Sequence, residues 1–182
     1  MTELQVTESI KVEASKHSAE RMQYEYNRFG LSQEKRKSMI LIGTIGQLVF
    51  KEFLTANKVK FDFEYQAGQY DLMDFKLDDD IVEIKTSGYD TSFINLNLLY
   101  SSDQFETGMH KGFKYCIQLF INGYSRATKL LELNQCNRCI IAGYIPFADI
   151  KNYPNSRQFY GDDYKVPIKD LKDINELLKK YK

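Results

Sequence analysis

The run from Tyr70 to Thr86 constrains this chain more than any other part of it, because it reads as two short strands around an acidic turn. Side chains alternate between the two faces of a β-strand, so Glu83 and Lys85 point one way while Val82 and Ile84 point the other. The sequence therefore predicts a strand with one charged face and one apolar face that packs against a core.

A third charged residue joins the pair when the run folds as a hairpin. Asp71 stands twelve residues before Glu83, at the start of the partner strand. A turn at residues 78–80 brings the Asp71 end of one strand near the Lys85 end of the other. Two carboxylates and one ammonium then converge, which suits a divalent cation and an activated water.

Asp71 followed by Glu83-Ile84-Lys85 resembles the PD-(D/E)xK nuclease superfamily, whose members have a restriction-endonuclease-like fold, here of the small phage or mobile-element type. The resemblance covers residues 40–146, with Tyr70 in place of the nominal Pro of the motif. It implies that Asp71 and Glu83 bind Mg²⁺, for which we expect Mn²⁺ to substitute. It also implies that Lys85 orients and activates the attacking water, in an endonuclease that hydrolyses phosphodiester bonds of DNA.

The resemblance places a further ligand on the first core helix, predicted at residues 43–54. Many members carry there a Glu that reaches the metal, and Gln47 stands in its place. A Gln carbonyl can ligate Mg²⁺ but brings no charge, so the number of metals and the strength of binding stay open. The alternative for Gln47 is an ordinary polar residue at a helix edge. Glu52, the nearest carboxylate, lies about 140° further round the helix.

Four residues are weaker candidates for contacting DNA. Lys35 and Arg36 belong to a charged connector or short helix that forms either a phosphate-binding patch or a solvated helix face. Gln104 and Lys111 lie on a helix predicted at residues 101–112. Gln104 contacts either the DNA backbone or a metal-bound water, or it is simply a polar residue in the first turn of this helix.

The order of predicted elements is helix, three strands, helix, strand, which matches the αβββαβ core of the restriction-endonuclease-like fold. We therefore predict an α/β protein with a mixed central β-sheet flanked by helices. A single domain at 1–182 divides into an N-terminal helical elaboration (1–40), the core (41–146) and a C-terminal loop and helix (147–182). The predicted helices cover residues 7–29, 43–54, 101–112 and 168–181, and the strands outside the hairpin cover 58–65, 113–121 and 139–145.

Composition narrows the classes of function. The 25 basic and 25 acidic residues give a net charge of zero, which argues against a protein that coats nucleic acid but not against a nuclease with a local DNA-binding patch. A hydrophobic content of 43% fits a folded globular chain. The sequence has no run of eighteen apolar residues and no signal pattern in residues 1–5. We therefore expect no membrane partner and a cytoplasmic location.

The three cysteines, an odd number, suit a reducing compartment. Cys136 and Cys139 form a Cys-x-x-Cys pair, but a zinc site needs two more ligands. Cys116 and His110 are the candidates for those, and Cys116 falls in an apolar strand pattern. The favoured interpretation is small buried side chains and a loop thiol.

Two alternatives to a general DNA endonuclease stay open. Gln47 in place of a Glu favours a DNA-binding or assembly module that keeps the fold without catalysis. Holliday-junction resolvases are a second alternative among enzymes. Cleavage of both DNA strands needs two active sites, which is compatible with a homodimer.

Overall fold

A five-stranded mixed sheet forms the centre of the protein, whose structure, a computed structural model, describes residues 1–24, 30–63, 75–158 and 161–182. Its strands, in spatial order, are β1 (Thr2–Gln5), β8 (Arg138–Pro146), β5 (Phe113–Ile121), β3 (Asp80–Gly88) and β2 (Phe75–Leu77). β3 and β5 are parallel, and the other neighbouring pairs are antiparallel. Parallel neighbours need a crossover connection, which β4 (Asn97–Ser101) and α3 (Ser102–Lys111) supply. The predicted α/β class with a mixed central sheet is confirmed.

Two smaller antiparallel sheets and further helices complete the fold. The first sheet has the order β4, β10 (Gly161–Pro167) and β9 (Asn155–Gln158), and the second is the hairpin of β6 (Tyr124–Ser125) and β7 (Leu130–Leu131). The remaining helices are α1 (Glu8–Arg21), α2 (Gln33–Ala56), α4 (Ile174–Leu178) and two 3₁₀ helices at Phe147–Asn152 and Ile168–Asp170. These elements cover both faces of the central sheet.

The central sheet has a separate apolar core on each of its faces. On one face, Val82 and Ile84 of β3 pack in a cluster with apolar residues of α1, α2 and α4. On the other face, Cys116 of β5 packs with Phe105 of α3 and with residues of β4 and β10. The predicted alternation of β3 is therefore confirmed, since its apolar side chains point toward α2.

Helix α2 is the main element of the first core. The Ser32 hydroxyl accepts a hydrogen bond from the Lys35 amide at the start of the helix, and Asn57 ends it. By length and composition, α2 is the one helix in the described parts of the chain that could cross a membrane. However, 67% of its most apolar stretch is buried inside the protein, as in the core helix of a soluble protein.

Several predicted elements are confirmed by the structure. The hairpin joins β2 to β3 through a turn in which Asp78 has a positive φ of 50°. Ser101 caps α3 through its hydroxyl, and Gly112 ends this helix with φ 76° in the left-handed region that glycine adopts without strain. The buried strands predicted at 113–121 and 139–145 correspond to β5 and β8.

Other predicted elements were wrong in extent. The charged segment before residue 38 and the helix predicted at 43–54 are one continuous helix, because no proline separates them and Gly43 is tolerated within a buried helix. α1 ends at Arg21 instead of residue 29, and residues 25–29 lie outside the described part of the chain. Within the described residues, the strand predicted at 58–65 is reduced to a bridge between Asp62 and Lys76, and residues 64–74 lie outside the described part of the chain.

The C-terminal segment differs most from its prediction. Residues 168–181 were expected to form one helix, but the backbone of Lys172 exchanges two hydrogen bonds with that of Tyr144, at 2.8 and 2.9 Å. This pairing holds the chain extended, and Asp173 then caps the short helix α4. Strands β1, β9 and β10 were not predicted, because their alternation is short and each depends on a partner distant in the sequence.

The two-faced character of β3 generates a stability prediction. Ile84→Ala should lower the free energy of unfolding by about 2–5 kcal/mol, because it removes buried methyl groups and leaves a cavity in the core. The matched control is Ile94→Ala, where the side chain is 71% exposed; this change should stay within about 0.5 kcal/mol. Urea denaturation of both variants measures the difference, and equal losses would contradict the assigned orientation of β3.

Candidate active site

The charged face of β3 carries an ion pair. The Lys85 ammonium Nζ lies 2.9 Å from Glu83 Oε1, within contact distance along one face of the strand. The two side chains are only 25% and 14% exposed. Charges withdrawn from water in this way cost free energy unless they are paired. This partly buried ion pair is therefore the first candidate for chemistry.

Two elements on this side of the sheet hold the Lys85 ammonium in place. Gln104, in the first turn of α3, offers its Oε1 as an acceptor 3.4 Å from Lys85 Nζ. The ring of Tyr100 on β4 lies beneath the ammonium, with its centroid 4.5 Å from Nζ. Tyr100 is buried, so this cation–π contact is shielded from water and stronger than one at an exposed site. A carboxylate, an amide oxygen and an aromatic face thus converge on one cation.

A buried polar residue that the sequence analysis missed lies beside this site. Gln118 of β5 is directly opposite Lys85 in the parallel register and is 1% exposed. Its Nε2 donates to the Ser87 hydroxyl at 3.4 Å and to the Leu119 carbonyl. The signal in the sequence was one Gln inside an otherwise apolar strand pattern. A buried amide on the charged face extends the polar surface from Lys85 along the sheet.

Helix α2 approaches β3 from the opposite face. A side chain at Gly46 would overlap the Thr86 side chain, so the helix backbone lies directly against the strand one residue after Lys85. The Thr86 hydroxyl is buried and makes no hydrogen bond within the described residues. Gln47, which follows Gly46, is also buried at 9% exposure. The predicted metal-site residue of the helix therefore belongs to an element that packs on the face of β3 opposite Glu83 and Lys85.

The remaining predicted site residues are distributed as follows. Asp71 lies outside the described residues. Lys35 and Arg36 begin α2, about 15 Å along the helix axis from Gly46, and Arg36 Nη2 donates to the Met22 carbonyl at 3.0 Å. Lys111 ends α3, with its Nζ 6.0 Å from the centre of the Phe113 ring. The structure thus brings together Glu83, Lys85 and Gln104, and it leaves the basic residues of α2 at a distance.

The donors at the site are those of a hard cation. In the described ranges no group of three or more His, Cys, Asp or Glu side chains is placed to hold a metal ion. Glu83 contributes one carboxylate, and Gln104 contributes one amide oxygen. Mg²⁺ is usually held by one or two carboxylates together with waters and substrate phosphates, so this donor set fits Mg²⁺.

The cysteine pair is buried, as the favoured interpretation predicted. Cys136 and Cys139 are free thiols with 0% exposure. Burial raises the pKa of Cys136 to about 11, and it raises the pKa of Cys139 further. Zinc binds the thiolate, which burial disfavours. His110, the other candidate zinc ligand, is exposed on α3.

Comparison with known proteins adds no relative: no family model, no curated protein and no solved structure matches this chain. The geometry of the site and the motif in the sequence are therefore the basis for assigning a function.

The close approach of α2 to β3 generates a prediction with an internal control. Gly46→Ala should destabilise the protein by about 1–3 kcal/mol, because the new methyl group overlaps Thr86 and forces the helix away from the strand. Gly43→Ala, one helical turn earlier, meets no atom within 4 Å. It should stabilise the protein by about 0.5–1 kcal/mol through the helix propensity of alanine. Thermal denaturation of the two variants is the measurement, and shifts of equal sign would contradict the packing.

Proposed function

We propose that this protein is a Mg²⁺-dependent endonuclease that hydrolyses phosphodiester bonds in DNA at the site formed by Glu83 and Lys85. One observation carries the proposal. The Glu-x-Lys pair lies on the polar face of a central strand, with the ammonium 2.9 Å from the carboxylate. The intervening Ile84 is buried in the core on the other face. An exposed strand with alternating charges would not bury either side chain to this extent.

The order of elements around the pair supports the same proposal. Helix α2 is followed by the short bridge at Asp62, the β2–β3 hairpin, strand β4, helix α3 and strand β5 parallel to β3. Apart from β4, this order agrees with the αβββαβ core that the resemblance to the PD-(D/E)xK superfamily implies, with the motif on the third strand. A motif and an element order that agree independently are stronger support than either of them alone.

Lys85 is suited to a role in positioning and electrostatics. Its ammonium has three N–H donors and no acceptor, and Glu83, Gln104 and the Tyr100 ring fix the direction in which the side chain extends. Oriented in this way, the ammonium donates to a phosphate oxygen or to the attacking water without competing for a cation. Such preorganised donors stabilise charge that develops in the transition state without having to reorganise during the reaction.

Glu83 and the amide oxygen of Gln104 would hold the metal ion. Asp71, outside the described residues, is the predicted second carboxylate, and Gln47 on α2 remains a predicted further ligand. Bound Mg²⁺ supplies positive charge for the phosphate and makes a nearby water more acidic. Glu83 also forms an ion pair with the Lys85 ammonium, so the negative and positive charges of the site balance each other before substrate binds.

A non-catalytic DNA-binding module is the second candidate, and one observation favours it. The described residues hold no group of three metal-binding side chains, and Glu83 is already paired with Lys85. A site of this kind would bind a phosphate through Lys85 without hydrolysing it. A plasmid-nicking assay separates the two candidates, because only the enzyme nicks DNA.

The role of Lys85 leads to an activity prediction. Lys85→Ala should lower the rate of plasmid nicking in Mg²⁺ by about 10²-fold or more, because one positioned donor is lost. Lys16→Ala, which removes an exposed lysine from α1, is the matched control and should nick at the wild-type rate. Circular dichroism spectra confirm that both variants are folded. Full nicking by Lys85→Ala would reject the catalytic role.

The proposed metal site leads to a separate prediction that does not depend on turnover. Mg²⁺ or Mn²⁺ should raise the melting temperature of the wild-type protein, because a ligand that binds only the folded state stabilises it by mass action. Glu83→Gln should abolish the increase. Glu52→Gln, an exposed glutamate of α2, should retain it. Differential scanning calorimetry measures the shift, and an unchanged shift in Glu83→Gln would place the metal elsewhere.

A further inference from the structure

A polar pocket opens at the carboxyl ends of the parallel strands β3 and β5, beyond the candidate active site. Its volume is about 320 Å³. Ligands of α/β proteins bind preferentially at this edge of a parallel sheet. The lining residues that matter for its chemistry are Tyr89, Asp90, Tyr124, Glu132 and Arg138.

The floor of the pocket is held in place by contacts between Arg138 and its neighbours. Arg138 Nε donates to the Tyr89 hydroxyl at 2.9 Å, its guanidinium lies 5.8 Å from the centre of the Tyr89 ring, and its Nη1 lies 3.8 Å from Glu3 Oε2. Tyr89 is 2% exposed. A Cβ at Gly88 would overlap Tyr124, so the Tyr124 ring lies directly on the β3 backbone. The arginine is therefore oriented before any ligand arrives.

The charges of the lining select the class of ligand. Asp90 and Glu132 would repel an anion, and the described residues offer no group of three metal-binding side chains here. A neutral ligand with both hydrogen-bond donors and acceptors fits this lining. The guanine base has this character, because its O6 and N7 accept from arginine and its ring and amino N–H groups donate to carboxylates.

The position of the pocket connects it to the proposed nuclease site. Tyr89 follows Lys85 by four residues on the same face of the chain, about 13 Å away at the rise of a strand. That is about four base steps along a duplex. The β6–β7 hairpin, with Arg126 and Lys129 exposed at its tip, borders the pocket from the other side of the sheet, where it packs against α2. At a separation of about 13 Å along the strand, a nucleic-acid strand bound at Lys85 can reach the pocket with one of its bases.

We propose that this pocket binds a single guanine base that has left the helical stack of the nucleic-acid substrate. A base inside a duplex cannot enter a concave site, so the base must be unpaired or displaced, and a base that is already unpaired avoids the free-energy cost of displacement. The inference rests on the proposed function, because it assumes that a nucleic acid is bound at Lys85. It adds a preference for DNA that contains an unpaired guanine.

The experiment compares two labelled duplexes of identical sequence in EDTA, one fully paired and one with a single bulged guanine. Fluorescence anisotropy should show that the wild-type protein binds the bulged duplex about tenfold more tightly. Glu132→Gln removes a carboxylate acceptor from an exposed side chain. It should reduce the preference to about twofold or less and leave binding of the paired duplex unchanged. Glu52→Gln, distant on α2, should keep the full preference.

A second measurement tests the pocket without DNA. Saturation-transfer NMR with free guanosine should show contact with the wild-type protein, weaker contact with cytidine, and loss of the guanosine signal in Glu132→Gln. Equal affinity for both duplexes, or no guanosine signal, would overturn the assignment of the pocket. If plasmid nicking still depends on Lys85 in that case, the nuclease proposal stands. Guanosine contact without nicking or duplex binding would instead reject the nuclease and keep a guanine-binding pocket.

Discussion

The alternation of β3 is the constraint on which the rest of the structure depends. Val82 and Ile84 enter the core beneath α2, while Glu83 and Lys85 point toward α3. A slip of one residue in the register would place both charges in the apolar core, at a large cost in desolvation. The register of this strand is therefore fixed by its own sequence, and with it the geometry of the ion pair.

Elements far away in the sequence hold the charged face in place. Tyr100, beneath the Lys85 ammonium, belongs to β4, and β4 is paired along its length with β10 in the C-terminal part of the chain. The start of β3 is also fixed, because the Tyr181 hydroxyl donates to Asp80 Oδ2 at 2.6 Å. Burial and this contact raise the pKa of the Tyr181 hydroxyl above its ordinary value. The C-terminal segment thus supports both ends of the polar face.

The candidate site and the pocket proposed to bind guanine lie along and at the end of the same strand, β3, but differ in chemistry. Around Lys85, a carboxylate, an amide oxygen and an aromatic ring surround a cation. At the pocket, Tyr89 and Glu3 orient the Arg138 guanidinium, and the carboxylates of Asp90 and Glu132 are part of the lining. The first arrangement suits a phosphate and a metal ion, and the second suits the edge of a base. A nucleic acid presents both groups at fixed spacing, which connects the two sites in one proposal.

The local sequence determined the elements whose formation depends on residues that are neighbours in the chain. The β2–β3 hairpin, the Ser101 cap of α3 and the buried strands β5 and β8 were all predicted, because alternation, capping and apolar runs depend on neighbouring residues. The Glu83–Lys85 pair on one face of β3 was predicted for the same reason.

Only the tertiary structure decided which residues surround that pair. Tyr100 contacts Lys85 and Gln118 lies opposite it through pairing between distant strands, which no periodicity along the chain encodes. The helix predicted at 168–181 failed because backbone pairing of Lys172 with Tyr144 outweighs the helical spacing of its apolar residues. The sequence by itself thus determined the strand that carries the charges. Contacts between distant segments decided their environment, because burial and orientation depend on what packs against a side chain.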